Sequence, residues 1–165
     1  MIDIKTYVKK CEDFYVCAET GIKGSFGYEF VEDRKTMYQY IVKGKISLIT
    51  ISDDDMTRQI CSSDDGLIDV KKYKYRPLCC YADDDFFMIG FNTLHKNIDW
   101  EGEIKKESFY GNDDSWLIVF DGNPSINGKT LKRFDYAKLE SKKYDVNLNN
   151  GVIGVFTKNS LILKS

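Results

Sequence analysis

Histidine and proline are scarce in this chain: among 165 residues there are one histidine, His95, and two prolines. So little proline argues against a disordered, proline-rich linker and leaves room for extended strands. The cysteines number five, at 11, 17, 61, 79 and 80, and no two stand in a Cys-x-x-Cys pair. An odd count without that spacing indicates neither a disulfide framework nor a zinc site. Reduced thiols in a cytoplasmic protein are the simpler expectation. No apolar run reaches transmembrane length, and Met1-Ile2-Asp3-Ile4-Lys5 lacks the apolar stretch of a secretory signal. No membrane partner is therefore expected. Charge of one sign is lacking too, with 24 basic against 26 acidic residues. That balance, with the basic residues scattered, gives no case for nucleic acid binding. The densest basic run, Lys71, Lys72, Lys74 and Arg76, reads as a solvated strand face. A glycine-rich phosphate loop, a serine nucleophile elbow and an HExxH helix are all absent.

Aromatic residues are plentiful: eleven Tyr, ten Phe and two Trp. They favour pleated, half-buried strands. A chain of this length buries roughly two thirds of its unfolded surface, enough for one domain or two small ones packed together. Near the N-terminus, Ile4, Tyr7, Val8, Cys11 and Phe14 or Tyr15 share one face at helical spacing. That spacing predicts a short helix over 3–15 with Asp3 as its N-cap. Beyond Gly21 and Gly24 the apolar period is two.

Tyr38 to Leu48 reads as two strands broken at Gly44, followed by polar turns at Asp53–Asp55 and Ser62–Gly66. Short strands follow at Leu67–Val70 and Leu78–Tyr81. Asp83–Asp85 then turns into the apolar run Phe86–Phe91. The order returns later in the chain. Trp116–Phe120 runs into Asp121-Gly122, and Asn127-Gly128 carries a strong hairpin signal. Phe134-Asp135-Tyr136 parallels Ile68-Asp69-Val70, and Asn149-Asn150-Gly151 turns into Val152–Phe156. A twice-used pattern predicts two similar sheets or small barrels, with a lead-in over 1–23 and repeats over 24–97 and 98–165.

The second copy resembles the cupin superfamily, the RmlC-like jelly roll. The resemblance rests on Trp116–Gly122, Ile126-Asn-Gly-Lys129, Leu131, Phe134-Asp135, Leu139 and Gly151–Val155. The first copy is similar through Tyr38–Leu48 and Leu67–Phe91. The resemblance implies an all-β fold: a jelly-roll, cupin-like barrel, or two small cupin-like repeats packed together, with a cavity between the sheets. It does not imply the family's metal site. Metal-binding cupins carry two histidines one residue apart, a glutamate soon after and a further histidine a hairpin later. His95 stands outside that pattern, so no residue is carried over as a ligand, and neither metal nor cofactor is expected.

Five residues are candidates for a ligand site: Tyr38, Tyr40, Cys80, His95 and Trp116. The aromatics stack on a sugar or other planar ligand if they face a pocket, and are core if they do not. Cys79 and Cys80 point to opposite strand faces, so their thiols do not converge. His95 is the one side chain whose ordinary pKa lies near neutrality. Three functions stay open: a metal-free cupin-like binder of a small polar molecule or sugar, an interaction protein such as a homodimer built through its strands, and a metal-independent lyase or isomerase.

Overall fold

The computed structural model describes residues 4–29, 36–51, 53–70, 78–93 and 98–159. The chain divides into two units, residues 1–94 and 95–165. The first unit runs through β1 (Ile4–Lys10), β2 (Phe14–Gly21), β3 (Phe26–Glu29), β4 (Thr36–Lys43), β5 (Ile46–Ile51), β6 (Met56–Cys61), β7 (Leu67–Asp69), β8 (Leu78–Ala82) and β9 (Phe86–Thr93). They form two sheets, ordered β1-β2-β9-β4-β7 and β3-β8-β5-β6. Ile41, Phe86 and Met88 of the one pack with Ile46, Leu48 and Ala82 of the other in a single apolar cluster. The sheets therefore stack face to face, as a jelly roll requires.

The second unit runs through β10 (Asp99–Lys105), β11 (Phe109–Tyr110), β12 (Ser115–Asp121), β13 (Ser125–Ile126), β14 (Lys129–Thr130), β15 (Tyr136–Lys138), β16 (Lys143–Tyr144), β17 (Val146–Asn147) and β18 (Val152–Asn159). Its larger sheet is ordered β10-β18-β12-β15 and faces the short ladders β14-β13-β17 and β11-β16. Leu117, Val119, Ile153 and Val155 of the larger sheet cluster with Ile126 and Tyr144 of the ladders. Without β1, the first unit's larger sheet reads β2-β9-β4-β7, in the same order of early, last, middle and later strand.

The turns follow their residues. Asn127 and Gly128 both have positive φ, 50° and 79°, the geometry that lets a two-residue hairpin match strand twist. Gly44, at φ 85°, brings its backbone against the Asp85 carbonyl oxygen, where a Cβ would collide. Gly122, at φ 72°, does the same against Gly151, whose Cα would lie 2.6 Å from an added Cβ. These two close approaches put the units in register: Gly44 corresponds to Gly122, Ile41 to Val119, and Gln39 to Leu117.

No helix forms among the described residues of 3–15, which begin at Ile4. Among the described residues, 4–10 and 14–21 are the antiparallel strands β1 and β2, paired from Ile4 opposite Gly21 to Lys10 opposite Tyr15. The helical spacing ran across a turn, closed by the Cys11 N–H donating to the Phe14 carbonyl at 2.8 Å. Within β2 the period is two, with Phe14, Val16 and Ala18 buried. β-branched and aromatic residues fill both strands, which suits a pleat better than a helix. Among the described residues no helix is long and apolar enough to cross a membrane.

The central strands of the larger sheets are buried on both faces. On β12, Leu117 and Val119 enter the unit's core cluster while Trp116, Ile118 and Phe120 are buried on the opposite face. On β9, Met88 faces inward and Ile89 and Phe91 are buried behind it. Burial on both faces explains why these strands read as nearly continuous apolar runs.

Candidate functional site in the first barrel

Paired residues on neighbouring strands share a face, so the register lays out what lines each barrel. In the first unit, Gln39 of β4 stands opposite Ile68 of β7 and Gly90 of β9. Ile68 and the neighbouring Ile41 belong to the interior cluster, so Gln39 points inward with them. Gly90 in turn pairs with Cys17 of β2, and Asn92 with Tyr15. One inward row is thus Cys17, Gly90, Gln39, and the next along β9 is Tyr15, Asn92.

These rows make a polar end to an otherwise apolar barrel. Gln39 is only 7% exposed, and its Oε1 is buried without a hydrogen-bond partner. Asn92 Nδ2 donates to Cys17 Sγ at 2.7 Å, which leaves Asn92 Oδ1 as the free end, also buried and unpartnered. Buried carbonyl oxygens are rarely left so, because losing water without a replacement donor is costly.

Gly90 forms the floor between them. A Cβ added there would meet Tyr38 O at 3.7 Å, Asn92 Oδ1 at 3.8 Å and Cys17 O at 3.9 Å. All three are oxygens, two of them backbone, so no apolar side chain lies closer to the glycine. Gly154 of β18 is different: a Cβ there would lie 2.6 Å from Phe120 Cε2 and 3.0 Å from Phe156 Cε2. Those two rings cross edge to face with centroids 6.0 Å apart. Gly154 makes room for a ring, whereas the three atoms nearest Gly90 are all oxygens.

The candidates from sequence fall in different places. Tyr38 and Tyr40 lie on β4 beside Gln39 but on its opposite face, and both are buried. Trp116 is buried on β12 with Tyr136 at a centroid distance of 6.1 Å and Lys138 Nζ 5.9 Å from its ring centre. Cys80 pairs with Leu48 and packs against the first unit's interior cluster, so it shares the barrel interior with Gln39. His95 and the basic run 71–76 lie outside the described residues. Cys17, Gln39, Gly90 and Asn92 were not singled out by sequence. The available signal was an isolated glycine in an apolar strand, which marks a close approach.

Cys11, at the β1–β2 turn, is a different kind of thiol. Burial pushes its pKa up, partly offset by Lys9, and its Sγ donates to the Lys9 carbonyl at 3.9 Å. Such a thiol stays protonated and unreactive.

The metal centre of the resembled family does not fit the described residues. Among them, no three His, Cys, Asp or Glu side chains stand together as a ligand set. The inward polar end offers carboxamides and thiols in place of histidines.

The second barrel differs in filling. Leu117 stands where Gln39 does, and Phe109, Leu131, Val146 and Leu148 add to its interior cluster. The polar end of its inner face holds a cleft of about 410 Å³ lined in part by Glu101, Glu103, Thr157 and Asn159. Thr157 Oγ1 is already paired there with Ser115 Oγ at 2.6 Å.

No protein-family model matches the chain, and no curated protein matches it. Solved structures do. A conserved protein of unknown function from Pseudomonas aeruginosa PAO1 is similar with TM-score 0.56 and 9% identity, over 90% of this chain and 81% of that one. A cupin 2 conserved barrel domain protein from Leptotrichia buccalis is similar with TM-score 0.52 and 12% identity, over 95% and 89%. An oxalate decarboxylase from Bacillus subtilis is similar with TM-score 0.55 and 8% identity, over 90% and 69%. Each similarity runs across both units.

Proposed function

We propose, from the premise that this chain has the cupin fold, that it binds a small polar molecule in the barrel of its first unit, without a metal. The observation that carries this is the pair of buried, unpartnered carboxamide oxygens on Gln39 and Asn92, flanking a glycine whose three nearest neighbours are oxygens. A folded protein tolerates such groups where a ligand completes them. Leu117 stands in the place of Gln39 in the second unit, so this buried amide is particular to the first. The matching strand orders support reading the units as two copies of one cupin-like design.

Oxalate, named for one group of similar structures, does not suit this niche. Its carboxylate oxygens would leave the two unpartnered acceptors, Gln39 Oε1 and Asn92 Oδ1, unanswered.

The reading is tested by an experimental structure of the protein purified from cells, with and without Gly90→Ala. Density over Gly90, in contact with Gln39 Oε1 and Asn92 Oδ1, is the expected result in the wild type. The added methyl meets only ordinary contacts, so the variant folds, but it occupies the floor and displaces that density. A wild-type interior closed by rotated side chains, with no space over Gly90, overturns the proposal.

A further inference from the structure

Resting on that binding reading, we infer that the ligand of the first barrel is a neutral donor, presenting amide N–H or hydroxyl O–H groups and no carboxylate. Both unsatisfied atoms are acceptors. The Asn92 amide is oriented by its own hydrogen bond: Nδ2 donates to Cys17 Sγ, and Oδ1 is the unpartnered end. Gln39 contributes Oε1 from a side chain more than nine-tenths buried. Gln39 stands opposite Gly90, and Asn92 follows two positions along β9 on the same face. Such diagonal neighbours lie about 7–8 Å apart at the backbone. A small group with two donors, seated against Gly90, would answer both oxygens.

Charge points the same way. Glu19 of β2 pairs with Met88, which places it on this inward face one step from Cys17. An anion would gain nothing from the two unpartnered acceptors and would face the Glu19 carboxylate on the same wall. Amides and polyols share the chemistry that fits, and the two are separated by the probes below.

The test uses the isotope-labelled full chain and two-dimensional NMR, following the side-chain amides of Gln39 and Asn92 and the backbone N–H of Gly90. The probes are acetamide, ethylene glycol and acetate. Acetamide and acetate are nearly the same shape and differ in the donor and the charge. Saturable shifts centred on those three groups are expected with acetamide, ethylene glycol or both, and none with acetate. Which neutral probe binds tells the amide source from the hydroxyl source. Gln39→Leu is expected to weaken that binding about tenfold, the effect of one lost hydrogen bond. Gly90→Ala is the second variant, since its methyl meets nothing closer than 3.7 Å and cannot be blamed on misfolding. Acetate binding at these residues as well as acetamide, or better, overturns the ligand class and leaves the binding site standing. No saturable shift there with any probe overturns both.

Discussion

Replacing Gln39 by leucine is expected to stabilise the protein while weakening ligand binding about tenfold. The wild-type side chain buries a carbonyl oxygen with no donor, at a cost of about 1–3 kcal/mol. Leucine removes that cost and adds apolar contact to Ile41 and Ile68, which lie on the same face. An ordinary hydrogen bond given up by the amide nitrogen would take back about 1 kcal/mol. The net gain is about 1–2 kcal/mol, or about 2–8 °C in melting temperature for a chain of this size. The second unit, with Leu117 at the matching position, shows that the row accepts leucine. The chain carries its own probes for the experiment. All five cysteines lie in the first unit and both tryptophans in the second. Labelling of the fully buried Cys61 across a guanidinium series follows the first unit, and tryptophan emission follows the second. The gain should appear as a higher midpoint for Cys61 labelling. A midpoint lowered by about 1 kcal/mol or more would refute the reasoning, because it would mean that Gln39 is satisfied within the ligand-free barrel.

The reciprocal change, Leu117→Gln, places an unpartnered amide at a position 1% exposed and is expected to cost about 2–4 kcal/mol, read from tryptophan emission. Gly44→Ala combines a left-handed backbone with a collision against the Asp85 carbonyl, and is expected to cost about 2–4 kcal/mol in chemical denaturation. Gly24→Ala shares the positive φ but meets nothing within 4 Å, so its loss should be about 1–2 kcal/mol. Stability should also fall above about pH 9 through Cys11. Its pKa in the folded state lies above the ordinary 9.0, so the unfolded thiol ionises first. The contribution is whole below that pH and is lost as pH rises toward the folded value. Cys11→Ala should flatten this limb of the stability profile, and an unchanged limb would count against a buried, protonated thiol.

The turns and strands were legible because their signals are local. Gly44, Asn127-Gly128 and Asp83–Asp85 each mark a chain reversal that a few neighbouring residues dictate. The N-terminal hairpin was misread for a related reason: Ile4, Tyr7, Val8, Cys11 and Phe14 sample a strand, a turn and a strand at intervals that match a helix face. Only the pairing of β2 with β9 settles the matter, and that pairing joins residues far apart in sequence.

The candidate site was hidden by the same non-locality. Cys17 and Asn92 are 75 positions apart, and only sheet register brings the amide to the sulfur. Gln39 sits in a strand buried on both faces, where alternation does not tell an observer which face is the barrel interior. Gly90 and Gly154 show the limit most directly. Each is a lone glycine inside an apolar run, Phe86–Phe91 in one unit and Val152–Phe156 in the other. From sequence they are the same feature, a strand weakened for the sake of close approach. In the fold, β12 lays the Phe120 ring over Gly154, while β4 and β9 set two carboxamides around Gly90. A ring needs nothing further, but two unanswered acceptors do, and that difference carries the functional reading of the first barrel.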